Sequence, residues 1–278
     1  MNNYVMITGA TGGLGSAFAA DCASRGYDLV LTDLKPEGKE FASRIAERYG
    51  VQVVYYTCDL YSESARTELF ARLRADGRKF WSLINVAGLD FEGDYLGRSR
   101  SQILTVLNVN LVANMDMTHE ILQMRAEGQK FRLINTCSMA AFYPMPFKAT
   151  YAATKRFLLD FSLALREEIR SFGTVTALAP GGMPTTPECM RAIFVQGFWG
   201  WATTLDAQIV ARAAVNAALR GKAICIPGWA NKLVNFMGSL VPVSLKVRFV
   251  ANRWNGTQSS IAQQDFLAGR LTASHSQG

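Results

Sequence analysis

The sequence predicts an α/β protein: a single domain with a doubly wound parallel sheet of about seven strands and a helical C-terminal extension. Three observations predict it. Short apolar runs alternate with longer amphipathic stretches over residues 1–230. The apolar runs lack period-two alternation, as strands buried on both faces do. A glycine-rich turn separates the first run from the first amphipathic stretch.

In chain order, Val5–Ile7, Leu29–Leu31, Val51–Tyr56, Leu83–Ile84, Leu133–Thr136, Val175–Leu178 and Ile224–Ile226 read as strands. Leu14–Arg25, Lys39–Tyr49, Ser64–Ala75 and Lys155–Arg170 read as helices between them. Such repetition places helices on both faces of a parallel sheet, and right-handed crossovers wind it in both directions. Residues 1–230 form one domain, with no Pro/Gly/Ser-rich linker inside it. Residues 186–205 interrupt the rhythm and carry Phe194, Phe198, Trp199 and Trp201. Residues 231–254 form an apolar and basic extension without an acidic residue, and 255–278 a polar tail expected to be flexible.

Composition narrows the function classes. Of 278 residues, 49% are hydrophobic and 18% charged, which suits a large core and excludes disorder as the dominant state. Five cysteines without a CxxC spacing point to a reduced, cytoplasmic setting rather than a disulfide scaffold. Two histidines, His119 and His275, are too few for a His-rich metal site, so no metal is expected. The net charge of +7 is diffuse and accompanied by no basic recognition helix, so no nucleic-acid partner is expected. No secretory leader is expected, because Met1–Val5 leads straight into the glycine turn. No run of about 20 apolar residues suggests a membrane span.

The turn reads Thr8-Gly9-Ala10-Thr11-Gly12-Gly13-Leu14-Gly15. Between a strand and a helix this is a dinucleotide-binding, Rossmann-like arrangement. Gly9 permits the tight turn, Gly13 lets the backbone approach a pyrophosphate, and Gly15 lets helix and strand pack closely. The helix N-terminus presents free N–H groups and a partial positive charge to the phosphates. Asp33 ends the second strand, where a carboxylate accepts from adenosine ribose hydroxyls and repels a 2′-phosphate. NAD is therefore the expected cofactor. Lys35, two residues on, is a counter-signal that keeps NADP in play.

The TGxxxGxG spacing resembles the short-chain dehydrogenase/reductase family, and further motifs match in order over residues 3–228. Asp59-Leu60 resembles the family's adenine-contacting pair, and Asn85-Val86-Ala87-Gly88 its NNAG motif. Asn110 stands where the family has its helix asparagine. Ser138 ends the fifth strand. Tyr151-Ala152-Ala153-Thr154-Lys155 matches YxxxK, and Pro180-Gly181-Gly182-Met183-Pro184-Thr185 resembles PGxVxT. The departures are Gly12, where many members have Ser, Val86 for Asn and Met183 for Val. The C-terminal extension is similar to that of a bacterial subgroup often labelled DltE-like.

The resemblance implies a hydride transfer between nicotinamide and a secondary alcohol or ketone. Tyr151 would be the general acid/base and Lys155 would bind the nicotinamide ribose. Ser138 would polarise the carbonyl, and Asn110 would hold a water for proton relay. Lys155 would also lower the tyrosine pKa. A charge about 4 Å away at an effective dielectric near 20 is worth roughly 4 kcal/mol, or up to about three pH units before screening. Tyr151 and Lys155 are four residues apart and share a helix face. The implied cofactor shell is Gly9, Thr11, Gly13, Leu14, Gly15, Asp33, Asp59, Leu60, Asn85, Ala87, Gly88, Tyr151, Lys155, Pro180, Gly181, Met183 and Thr185. Cys137 reads as a buried packing residue and His119 as structural.

Residues 186–205 fall where the family has its substrate lid, and their aromatics suggest a hydrophobic, hydroxysteroid-like or acyl substrate. Two alternatives stand beside this reading. One is an NADPH-dependent 3-oxoacyl reductase. The other is a dinucleotide-binding sensor without turnover. A homodimer or homotetramer is expected through the helices holding Asn110 and Tyr151. The 231–254 extension is expected to pack within the molecule or between subunits, with peripheral membrane contact as the alternative, because Gly238 and Pro242 interrupt a continuous surface helix.

Overall fold

A computed structural model describes residues 3–184, 190 and 202–252. Seven strands form one parallel sheet: β1 (Asn3–Thr8), β2 (Leu29–Asp33), β3 (Val53–Thr57), β4 (Lys79–Asn85), β5 (Phe131–Thr136), β6 (Gly173–Leu178) and β7 (Ile224–Cys225). Their spatial order is β3-β2-β1-β4-β5-β6-β7. The order reverses between β1 and β4, and the crevice beyond their carboxyl ends is where such sheets bind ligands. The register aligns Thr8 with Asn85 and Ile7 with Ile84 across that switch point.

The helices are α1 (Gly13–Ser24), α2 (Gly38–Tyr49), α3 (Glu63–Ala75), α4 (Arg100–Leu107), α5 (Ala113–Gln123), α6 (Ala149–Glu168), α7 (Ala207–Leu219) and α8 (Trp229–Ser239). Residues 243–252 form a further helical segment. A π-helical turn, Asn108–Val112, joins α4 to α5.

The core has two main layers, one on each face of the sheet. Val5, Ile7, Leu29 and Leu31 face α1 and α7, burying Phe18, Val210 and Ala214. Met6, Val30, Leu83 and Leu133 point the other way, onto Leu69, Leu73, Met117 and Ile121 of α3 and α5. Alternate strand residues thus feed opposite layers, and both are apolar. This is why the runs show no alternation in the sequence.

All seven expected strands are present. The expected helix over Lys155–Arg170 begins six residues earlier, at Ala149. Its N-cap, Lys148, makes no side-chain capping bond, so the start carries no capping signal in the sequence. The aromatics Phe194, Phe198, Trp199 and Trp201, the site residue Thr185 and the tail 255–278 lie outside the described residues. No described helix is long and apolar enough to cross a membrane.

Candidate active site

The glycine turn is shaped by steric necessity. Gly9 has φ +63°, and a Cβ there would lie 2.9 Å from the backbone of Ala87. A Cβ on Gly15 would lie 2.0 Å from the Gly9 carbonyl oxygen. Both positions therefore exclude larger residues. Thr8 Oγ1 accepts from the Val86 and Ala87 N–H groups at 3.0 and 3.2 Å, tying the turn to the loop after β4.

Asp33 closes the turn from the other side. Its Oδ2 accepts from Thr11 N at 2.9 Å and its Oδ1 from Leu34 N at 2.7 Å. An ionised carboxylate offers about four acceptor positions, so both oxygens keep capacity for hydroxyl donors. Lys35 is exposed, and its carbonyl accepts from the Tyr55 hydroxyl. Asp59 is exposed beyond β3, whereas Leu60 is buried and its carbonyl accepts from Arg66 at 2.7 Å.

The residues present fit a dinucleotide. Gly12, the N-cap of α1, has no side chain to cap the first-turn N–H groups. The first turn contains no acidic residue to compete with phosphate. Thr11 Oγ1 is buried without a hydrogen-bond partner among the described residues. A buried hydroxyl left unpaired is costly, and a ligand at the turn would satisfy it.

Farther along the crevice, Tyr151 and Lys155 share one face of α6. The Lys155 ammonium lies 5.5 Å from the Tyr151 ring centroid. It is 3% exposed and donates to the Thr136 carbonyl, at the end of β5, at 2.8 Å. Burial lowers its pKa from 10.5 to about 8. Ser138, two residues beyond β5, stands beside the Tyr151 hydroxyl, and its Oγ accepts from Ala140 N at 3.1 Å. Burial pushes the Tyr151 pKa up, and the Ser138 hydroxyl opposes that rise. Asp90 adds to the rise and Lys148 counters it. The expected lowering of Tyr151 by Lys155 is thus not what governs this hydroxyl: desolvation is the larger effect, and the ammonium is tied to Thr136.

Asn110 is 1% exposed in the π-helical turn. Its Oδ1 accepts from Leu89 N at 2.9 Å, and its Nδ2 donates to Leu89 O at 3.0 Å and Thr154 Oγ1 at 3.1 Å. Both amide protons are therefore used, and the side chain pins the loop after β4 onto α6. A Cβ on Gly88 would lie 3.2 Å from Asn110 Oδ1 and 3.3 Å from Lys155 Nζ. The loop, the turn and α6 thus converge at Gly88.

Other expected residues are placed differently. The Asn85 side chain is turned into the core, donating to Thr118 Oγ1 and Asn135 Oδ1, each at 3.0 Å. Pro180 O accepts from Met139 N at 2.9 Å. A Cβ on Gly181 would lie 2.4 Å from Thr203 O. Met183 packs against the α1/α7 layer. Cys137 is buried, with its pKa pushed up to about 12, which makes it a packing residue. His119 is exposed beside Glu120 at 3.2 Å.

Sequence reading missed an ionic cluster next to Tyr151. Lys148 pairs with Asp90 and Glu92, each at 2.9 Å, and lies 5.9 Å from the Tyr151 ring centroid. The cluster joins residues 58 and 56 positions apart, and no local motif signals it.

The fold and site together define an α/β protein whose glycine turn fits a dinucleotide, with a Tyr–Lys–Ser cluster at the sheet's carboxyl edge in which Lys155 is buried and Tyr151 and Ser138 are partly exposed. The family model "short chain dehydrogenase" matches residues 3–191, and the chain belongs to that family. It is 30% identical over 179 residues to a very-long-chain 3-oxoacyl-CoA reductase of Anas platyrhynchos, covering 62% of this chain and 56% of that one. The chain thus spans little more than half the length of that relative. Among solved structures, it is similar to a short-chain dehydrogenase from Sphingobium yanoikuyae in complex with NADPH, with a TM-score of 0.71 and 25% identity over 85% of this chain and 93% of that one. It is also similar to the bulky-bulky ketone specific alcohol dehydrogenase from Comamonas testosteroni, with a TM-score of 0.69 and 25% identity over 96% and 95%.

Proposed function

We propose that the protein is an NAD(P)-dependent oxidoreductase acting on a hydrophobic secondary alcohol or ketone. The observation that carries this is the convergence of Tyr151, Ser138 and Lys155 beside a glycine turn that fits a dinucleotide. Gly9, Thr11, Gly13, Leu14, Gly15 and Asp33 would hold the adenosine and pyrophosphate end. Asp59, Leu60, Ala87, Gly88, Pro180, Gly181, Met183 and Thr185 would line the rest, with Asn85 contributing through its backbone. Bound nicotinamide supplies the hydride in reduction and takes it in oxidation.

The chain's own groups manage the proton. Burial keeps Tyr151 protonated near neutral pH, which suits it to donate to a carbonyl oxygen. Ser138 orients that hydroxyl and donates to the same oxygen as charge grows on it. Lys155, with its pKa near 8, exchanges its proton with little cost around neutrality and can resupply Tyr151 through a ribose hydroxyl or water. Asn110 holds Leu89 and Thr154, and so keeps Gly88 clear for the cofactor.

Asp33 supports NAD, whereas the NADPH bound to the similar Sphingobium structure supports NADP. The 3-oxoacyl reductase reading is favoured by one observation, the similarity to the very-long-chain 3-oxoacyl-CoA reductase. A homodimer or homotetramer through the helical turn holding Asn110 and through α6 is supported by Val112 and Phe157, apolar and exposed there. A cytoplasmic setting is supported by the four cysteines among the described residues, all buried and unpaired. Titration with NADH and NADPH, read by nicotinamide fluorescence, tests the cofactor. A screen of bulky ketones then tests the substrate class. Binding of neither nucleotide overturns the reading.

A further inference from the structure

The C-terminal hairpin wears its apolar face outward. A surface helix normally turns that face to the core. In α8, Trp229, Leu233, Phe236 and Leu240 follow one another at spacings of four, three and four, which is a single helical stripe. That stripe is exposed: Trp229 is 78%, Phe236 61% and Leu240 66% accessible. Met237 flanks it, and Val241, Val243, Leu245 and Phe249, around and beyond Pro242, are exposed as well. The inner side carries Ala230, Asn231 and Gly238, with Val234 partly buried among them. The inner side of α8 thus packs within the molecule, and its apolar side is left exposed on the chain.

The hairpin is firmly seated despite this exposure. Asn231 Nδ2 donates to Thr203 O at 3.1 Å and Pro227 O at 2.9 Å. The Tyr143 hydroxyl donates to Val234 O at 3.0 Å, and a Cβ on Gly238 would lie 2.4 Å from that hydroxyl oxygen. The outward stripe is thus the product of specific inner contacts.

Charge decides what covers it. Residues 229–252 contain Lys232, Lys246 and Arg248 and no Asp or Glu. A second copy meeting this face about a two-fold axis would bring these cations towards their own images, with no carboxylate on the patch to pair them. An anionic lipid surface supplies both requirements, a hydrocarbon boundary for the stripe and phosphates for the cations. Tryptophan at the end of the stripe suits the headgroup level.

We propose that the 229–252 hairpin docks the protein peripherally on an anionic phospholipid membrane. The docking itself does not depend on the redox chemistry. The inner side of α8 is tied to Tyr143, which follows Ser138 by five residues in the chain. Delivery of an apolar substrate from the bilayer rests on the proposed function.

The test is flotation of the full chain with vesicles of phosphatidylcholine alone and of phosphatidylcholine with phosphatidylglycerol, without nucleotide. Three cations near an anionic surface correspond to about a hundredfold in affinity. We expect at least about tenfold more protein on the anionic vesicles, falling in high salt. Leu233→Glu with Phe236→Glu removes flotation while melting temperature and NADH titration stay unchanged, because both side chains project into solvent. Lys232→Glu with Arg248→Glu lowers binding to the level of neutral vesicles. Failure of the wild-type chain to float, or equal flotation of the double-glutamate chain, overturns the proposal. So does a wild-type dimer that becomes monomeric in that variant without any vesicle binding, which would make the face a contact between copies. NADH binding is read separately, so loss of the redox reading leaves the flotation result standing.

Discussion

Replacing Lys155 by Met removes a buried ammonium while keeping an unbranched chain in its place. The folded-state pKa near 8 lies below the usual 10.5, because burial disfavours the charged form. The unfolded chain therefore binds the proton more readily, and wild-type stability carries the full cost of the buried charge below pH 8. Between about pH 8 and 10.5 the folded lysine is neutral while the unfolded one is still charged, so this contribution to stability rises with pH. At about 1.36 kcal/mol per pH unit, the drop corresponds to about 3 kcal/mol. At pH 7 the variant escapes that cost but forfeits the bond to Thr136 O, worth about 1.5–3 kcal/mol for a charged donor. The two nearly offset, so the variant should be as stable as the wild type or slightly more so. The decisive quantity is the change with pH. Urea unfolding of both proteins at intervals from pH 7 to 10.5 should show the wild type gaining about 3 kcal/mol relative to the variant. Raised tyrosines such as Tyr55 titrate in both chains and cancel in the difference. Parallel pH curves would refute the argument that Lys155 is held as a desolvated cation. The same variant should lose NADH affinity and about 10²–10⁴-fold in turnover.

Three further outcomes follow from the geometry. Tyr151→Phe should reduce turnover about 10²–10⁴-fold with little change in the NADH dissociation constant, and comparison of steady-state rates with fluorescence titration checks this. Gly15→Ala, whose Cβ would lie 2.0 Å from Gly9 O, should weaken NADH binding strongly and lower the melting temperature. Gly12→Ala, whose nearest contact is 3.4 Å, should do neither. Asp33→Asn should shift preference from NADH towards NADPH by removing the charge that opposes a 2′-phosphate, with Thr11 N still able to donate to the amide oxygen. Unchanged relative affinities would place cofactor choice elsewhere.

The seven strands were legible because each is built around a short apolar segment without period-two alternation, as strands buried on both faces are. The glycine turn was legible for a similar reason: Gly9 and Gly15 occupy positions where a Cβ meets backbone. The start of α6 was not, since Lys148 makes no side-chain capping bond. The roles within the cluster were only partly legible. Asn110 was expected to hold a water for proton relay, and its side-chain bonds to Leu89 and Thr154, 21 and 44 residues away in sequence, carried no local signal. Asn85 sits in the motif expected to face the cofactor, yet the pleat turns its side chain towards Thr118 and Asn135.

The sequence by itself determined the architecture, the cofactor-binding turn and which residues stand together at the carboxyl edge of the sheet. Those follow from local patterns: hydrophobic runs, glycines that nothing can replace and a four-residue helical spacing. Only the tertiary structure decided the electrostatics and the surfaces. Desolvation of Tyr151 and Lys155 depends on everything packed around them. The Lys148–Asp90–Glu92 cluster is made by chain closure. The outward stripe of the hairpin has the same periodicity as an inward one. A helical pattern specifies that one face is apolar, and the contacts of the opposite face, here Asn231, Tyr143 and Gly238, decide which way it points.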